Sequence, residues 1–225
     1  MEEMLSKVRT QRLDAFEGLR LTDHTYNLAI GLTLLAGILL DMIIAYFLTD
    51  FIVRWNIFVI LGVYLVGSFG CTFVIYHSSK PVVSGLGFAG LAASMGILLT
   101  YVLTAYDLGT IQLAFTLTGV VFVAMVVLST LFPQFFLSIG RGLGITLLLT
   151  ILVEVVAGFL FPAALQWTDY LVVLLFCGYV GFDWAKAQQY PKTLDNAIDS
   201  AADIYVDIIY LFLRILSILS KSRKN

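Results

Sequence analysis

The chain has 225 residues, of which 60% are hydrophobic and only 12% charged, and its net charge is −2. Soluble domains carry about twice this charged fraction, so an ordinary soluble domain is excluded and a polytopic membrane protein is indicated. The length suits about seven spans of roughly 20 residues and leaves no room for a sizeable soluble domain. No basic stripe appears in the sequence, which argues against a nucleic-acid partner.

Residues 1–23 precede the first apolar run and mix charges of both signs, without the apolar core of a signal peptide. Their apolar positions recur at near-helical spacing, so either a short interfacial helix or a solvated tail is expected there. We predict a seven-helix transmembrane domain at residues 24–220 and a basic C-terminal tail at residues 221–225. The predicted spans are Tyr26–Leu48, Trp55–Tyr76, Val82–Tyr106, Ile111–Leu131, Leu143–Phe161, Trp167–Ala187 and Ser200–Ser220.

The connections between most predicted spans are short, which makes neighbouring helices antiparallel. With seven spans, the side that holds the N-terminus carries eight lysines and arginines and the other side carries four. Because positive charge accumulates in cytoplasmic loops, we predict a cytoplasmic N-terminus. The compact tails favour a bacterial plasma membrane. If the last segment did not fully span, both tails would lie inside.

Asp41, His77 and Glu154 are the first polar candidates in chain order. Asp41 and Glu154 lie within predicted spans, where a carboxyl group is costly and functional by default, so either could line a cation path. Alternatively, Asp41 reaches the far interface. His77 ends the second span, where it could bind a carboxylate and titrate near neutrality, or simply cap a helix end.

Asp183 and Asp207 lie near the same end of the last two apolar segments. The midpoint between them falls at Asp195, in a polar stretch, so a hairpin that turns there brings both carboxyl groups to a similar depth. Two like charges at close range do not both ionise easily, so such a pair shares a proton or binds a cation. The simpler alternative for Asp183 is an ion pair with Lys186, three residues further on.

The last segment is the least hydrophobic and carries Asp203, Asp207 and Arg214, with Tyr210 on the same helical face. Charges on such a helix cannot all meet lipid, so we expect it at the centre of the bundle, surrounded by the other six helices. Arg214 either biases the field around Asp207 or extends to the outer interface.

These last segments resemble the Bax inhibitor family (transmembrane Bax inhibitor motif proteins), and in particular its prokaryotic-type members. The similarity lies in Gly181-Phe182-Asp183 and in the stretch from Ala202 to Arg214, which includes Tyr205-Val206-Asp207. It implies a seven-helix bundle with a central seventh helix and a calcium leak that is gated by protonation of Asp183 and Asp207. His77 falls near the position where some bacterial members have an arginine.

The function that follows from this resemblance is a pH-sensitive calcium leak channel. Asp183 and Asp207 form the sensor and bind calcium transiently, with His77, Asp203, Tyr210, Arg214 and Lys186 as candidate gate partners. We expect protons, calcium and the lipid bilayer as partners, no cofactor and no enzymatic activity.

Two rival functions are a membrane stress regulator that acts on other membrane proteins, and an intramembrane aspartyl protease. The protease is the weaker rival, since no Gly-x-Gly-Asp or Pro-Ala-Leu sequence accompanies the two aspartates.

Overall fold

A computed structural model describes residues 20–160 and 165–224, and these residues form seven helices. The helices are α1 (Asp23–Ile52), α2 (Ile57–His77), α3 (Pro81–Leu103), α4 (Leu108–Leu131), α5 (Pro133–Leu160), α6 (Leu165–Ala187) and α7 (Leu194–Lys224). The first six are long and apolar enough to cross a membrane, which confirms a helical membrane protein. Helix α7 carries more charged residues than these six. That α7 crosses the membrane and that it lies at the centre of the bundle therefore stay predictions. The expected interfacial helix falls on residues 1–19, outside the described part.

Helix starts follow from local sequence. Thr22, Asn56 and Asp107 cap α1, α2 and α4, since each side chain accepts a hydrogen bond from a backbone N–H of the first turn. Pro81 and Pro133 occupy the first positions of α3 and α5. The fixed φ angle of proline suits this position, and its missing N–H would have no partner there.

The predicted starts of the fifth and seventh helices were wrong. Helix α5 begins at Pro133 rather than at Leu143, and α7 begins at Leu194 rather than at Ser200. In the first case, the predicted fourth and fifth spans left residues 132–142 as a connection. However, Gly140 is a packing position, where an added Cβ would collide with the Phe182 ring of α6. A helix there is stabilised by its packing despite its unfavourable glycines.

The chain divides into two compact units. The first unit contains α1, α2, α3 and the part of α7 that ends at Tyr205. In this unit α3 approaches α2 closely through small residues. A Cβ at Gly87 would stand 2.8 Å from Ile75, and one at Gly90 would stand 2.6 Å from the Cys71 sulfur. These two glycines of α3 therefore serve internal helix packing.

The second unit contains α4, α5, α6 and the part of α7 that begins at Val206. Here α5 and α6 interlock through glycine–aromatic pairs. Phe182 of α6 fills the space beside Gly140 of α5, and Phe136 of α5 fills the space beside Gly181 of α6. Because Gly181 and Phe182 immediately precede Asp183, this packing fixes the end of α6 that carries the first predicted sensor residue.

Candidate functional site

Asp183 is positioned by the end of α4 as well as by α5. The Ser129 hydroxyl donates a hydrogen bond to the carbonyl oxygen of Gly181. The indole N–H of Trp184 donates to the Thr130 hydroxyl at 3.0 Å. These bonds hold the backbone on both sides of Asp183, whose side chain is only 11% exposed.

The local ion pair that the sequence suggested is present. Lys186 Nζ lies 3.4 Å from Asp183 Oδ1, and the Lys186 side chain is 33% exposed. A pair with one half-exposed partner contributes only about 0.2–1 kcal/mol. Lys186 is therefore a weak partner that a conformational change or a cation could displace.

Asp207 lies on α7 in the same unit and is 5% exposed. One turn further on, the Tyr210 ring stacks on Phe176 of α6, with ring centres 5.2 Å apart and planes inclined by 16°. Asp207 and Asp183 are thus both largely withdrawn from solvent.

Arg214 joins α7 to two other helices of the second unit. Its guanidinium donates to Glu154 Oε2 of α5 at 2.7 Å and to Asp169 Oδ1 of α6 at 3.0 Å. Lys221 Nζ and the Ser217 hydroxyl donate to Asp169 Oδ2 at 2.6 Å and 3.0 Å. Two cations therefore face two carboxylates, and Arg214 is the polar partner that Glu154 requires rather than a side chain extended alone to the interface.

The remaining sequence candidates lie in the first unit. His77 Nδ1 bonds with the Phe73 carbonyl oxygen at 2.9 Å and its ring stacks on Phe73, which fits a residue that caps its own helix. Asp203 accepts a hydrogen bond from the Tyr76 hydroxyl. Asp41 accepts one from Tyr205 at 2.7 Å and is buried.

Sequence reasoning missed three acidic residues. Asp169 was overlooked because it stands at the start of a span, where an acidic residue usually faces water, yet it is 3% exposed. Asp195 was taken for a turn residue but lies in the first turn of α7, where it accepts from the Ser84 hydroxyl at 2.7 Å. Asp199 is also buried. The four-residue spacing of Asp195, Asp199 and Asp203 was the available signal, because it places them on one helical face.

The described ranges contain no group of three or more histidine, cysteine, aspartate or glutamate side chains that could hold a metal ion. Calcium takes six to eight oxygen ligands. The two carboxylates of Asp183 and Asp207 would therefore supply only part of a calcium coordination shell.

Six apolar helices, together with a seventh that carries buried acidic side chains, define a polytopic integral membrane protein with a titratable interior. The chain belongs to the Bax inhibitor family, since the family model described as "Inhibitor of apoptosis-promoting Bax1" matches residues 20–224.

Two curated relatives are similar over most of their length. The Golgi anti-apoptotic protein of Vaccinia virus (strain Lister) is 28% identical over 165 residues, which cover 71% of this chain and 68% of the relative. Protein lifeguard 4 of Mus musculus is 26% identical over 169 residues, which cover 74% and 70%. No solved structure matches the chain.

Proposed function

We propose that this protein is a pH-sensitive calcium leak channel whose gate is the pair Asp183 and Asp207. The observation that carries the proposal is that Asp183 and Asp207, 11% and 5% exposed, are both largely withdrawn from solvent within one unit of a membrane protein. Ionisable groups at such positions typically mark ion or proton pathways. The family resemblance of the two flanking sequences supports the same assignment.

In the proposed mechanism, a singly protonated pair shares a hydrogen bond and holds α6 against α7. Ionisation of both groups about 3–4 Å apart costs roughly 4–6 kcal/mol at an effective dielectric constant near 20. Movement of α7 or entry of a hydrated calcium ion relieves this cost. Lys186 is the cation next to the pair, so its movement towards Asp183 partly compensates the charge.

Glu154 is the candidate residue of the cation path in the second unit, and its carboxylate is bound to Arg214. A cation at Glu154 must therefore displace Arg214, which lies on the same helical face as Asp207 and Tyr210. Movement of α7 after ionisation of the pair would shift all three residues together.

The test is calcium flux into liposomes that contain the purified protein, measured from acidic to alkaline pH. Asp183→Asn with Asp207→Asn should abolish the pH response, because two amides cannot exchange the proton. Asp50→Asn is the matched control, since Asp50 is exposed near the end of α1. Flux and pH response that are unchanged in the double variant would end the proposal.

A second candidate function is a membrane regulator that acts through protein partners without transport. The observation that favours it is the anti-apoptotic description of the family model and of the viral relative. In cells under stress, a regulator should protect equally well with and without the Asp183→Asn, Asp207→Asn double substitution. A channel should lose its protective effect along with its flux. Capture of the same membrane partners by both forms would favour the regulator.

The proposed location is a bacterial plasma membrane. The distribution of lysine and arginine favours an N-terminus in the cytoplasm. Reporter fusions at each terminus test the orientation. A periplasmic reporter that is active at the N-terminus would contradict it.

A further inference from the structure

Tyr205 and Asp41 form a buried polar contact in the first unit. Tyr205 is completely buried and Asp41 is 5% exposed. The Tyr205 hydroxyl, on α7, donates a hydrogen bond to Asp41 Oδ2, on α1, at 2.7 Å. The Tyr205 ring also packs edge-on against the Phe88 ring of α3, with ring centres 5.4 Å apart. The hydroxyl group that bonds Asp41 therefore belongs to a tightly packed side chain.

The second carboxyl oxygen of Asp41, Oδ1, lies against Gly96, where a residue with a side chain would collide with it. Oδ1 is buried and has no hydrogen-bond partner within the described residues. A Cβ added at Gly96 of α3 would stand 2.6 Å from this oxygen. The first unit thus buries a carboxyl group that accepts one hydrogen bond on one oxygen and none on the other.

A charge on Asp41 would find no lysine or arginine on the described helices of the first unit to compensate it. The described parts of the first unit carry no lysine or arginine on α1, α2, α3 or α7 up to Tyr205. The other titratable side chains on these elements are Asp23, His24, Tyr26, Tyr46 and Asp50 on α1; Tyr64, Cys71, Tyr76 and His77 on α2; Tyr101 on α3; and Asp195, Asp199 and Asp203 on α7. Of these elements, α3 faces Asp41 with Gly96 and α7 faces it with Tyr205. An ionised Asp41 would therefore be a buried charge with a single neutral hydrogen-bond donor, which is strongly unfavourable.

We propose that Asp41 is a second proton-binding site of this protein, a carboxylic acid that stays neutral inside the membrane and fastens the first part of α7 to α1 through Tyr205. The two carboxyl oxygens of Asp41 have different roles in this proposal. Oδ2 is the carbonyl oxygen that accepts from Tyr205, and Oδ1 beside Gly96 carries the proton. Loss of this proton would place a charge against α3 and favour separation of α7 from α1. The site is independent of the gate proposed above and gives Asp41 a role other than a ligand for passing cations.

Infrared spectroscopy of the full-length protein in lipid tests this assignment. The wild-type spectrum at neutral pH should contain the carbonyl band of a protonated carboxyl group that Asp41→Asn removes. Asp50→Asn, at an exposed position of the same helix, should leave the band in place. Tyr205→Phe should keep the band but shift it, because one hydrogen bond to the carbonyl oxygen is lost. A neutral-pH spectrum that neither Asp41→Asn nor Tyr205→Phe changes would overturn the proposal.

Calcium flux and thermal unfolding separate a proton site from a cation site. If Asp41 is neutral, its replacement by the similarly shaped neutral asparagine should leave the calcium flux within about twofold of wild type. In addition, the melting temperature of the wild type should fall at alkaline pH, and that of Asp41→Asn should not. If Asp41 instead binds passing cations as a carboxylate, Asp41→Asn should reduce the flux severalfold and the proposal is wrong. Should Asp41→Asn not fold, the band shift in Tyr205→Phe remains decisive.

Discussion

Arg214→Gln should destabilise the second unit far more than removal of an ordinary surface arginine. The substitution keeps a polar side chain but removes the charge that Glu154 and Asp169 face at 2.7 Å and 3.0 Å. Removal of one partner from a buried ion pair costs about 3–5 kcal/mol. Here the side chains of Arg214 and Glu154 are 29% and 20% exposed, which lowers the expected cost.

The contacts that Asp169 and Glu154 keep after Arg214→Gln determine which carboxylate accounts for the loss of stability. Asp169 keeps Lys221 and Ser217, whereas Glu154 keeps only the Thr168 hydroxyl at 3.1 Å among the described residues. We therefore expect a loss of roughly 2–3 kcal/mol, mostly from the Glu154 carboxylate. For a protein of this size, this corresponds to a melting temperature lower by roughly 4–12 °C.

The assay is reversible unfolding of the purified protein in detergent, followed by circular dichroism. Arg54→Gln is the control, because Arg54 is exposed between α1 and α2. In a double-mutant cycle, Arg214→Gln combined with Glu154→Gln should recover about 1–3 kcal/mol relative to the sum of the single variants. Equal stability of the Arg214 and Arg54 variants, or strict additivity in the cycle, would refute the reasoning.

Two further predictions concern packing and pH. Gly181→Ala should cost about 1–3 kcal/mol of unfolding free energy because the new methyl group collides with Phe136. Gly142→Ala should be neutral or stabilising, since no atom lies within 4 Å of its Cβ position, and equal losses in both variants would contradict this account. Burial lowers the pKa of the Lys192 ammonium on the connection before α7, and the charge of Asp23 opposes this effect. The unfolded chain then holds the proton more tightly, so the free energy of unfolding should rise with pH just below the ordinary value of 10.5, with a slope that Lys192→Met reduces.

Hydrophobic length and composition predicted seven spans, and six of the described helices are long and apolar enough to cross a membrane. An apolar stretch of this length has few other stable states. Length and composition failed at the start of α5, where Gly140 and Gly142 imitate a connection although Phe182 makes one of them a packing position. Glycine has the same weak local preference in both situations, so only the partner helix distinguishes them.

The candidate site was predictable to a similar extent. Asp183, Asp207, Glu154 and Arg214 were identified because a charge inside an apolar run is conspicuous. The partners were not predictable, since the contact of Arg214 with Asp169 joins residues on different helices. Spacing along one helix does not reveal such contacts.

The most direct measurement is the separation of the Asp183 and Asp207 carboxyl groups in experimental structures at acidic and alkaline pH. At acidic pH, the proton-sharing gate requires a carboxyl–carboxylate hydrogen bond of about 2.5–2.7 Å between the two groups. At alkaline pH the same groups should stand further apart, with water or calcium between them. Side chains that point away from each other at both pH values would contradict the account.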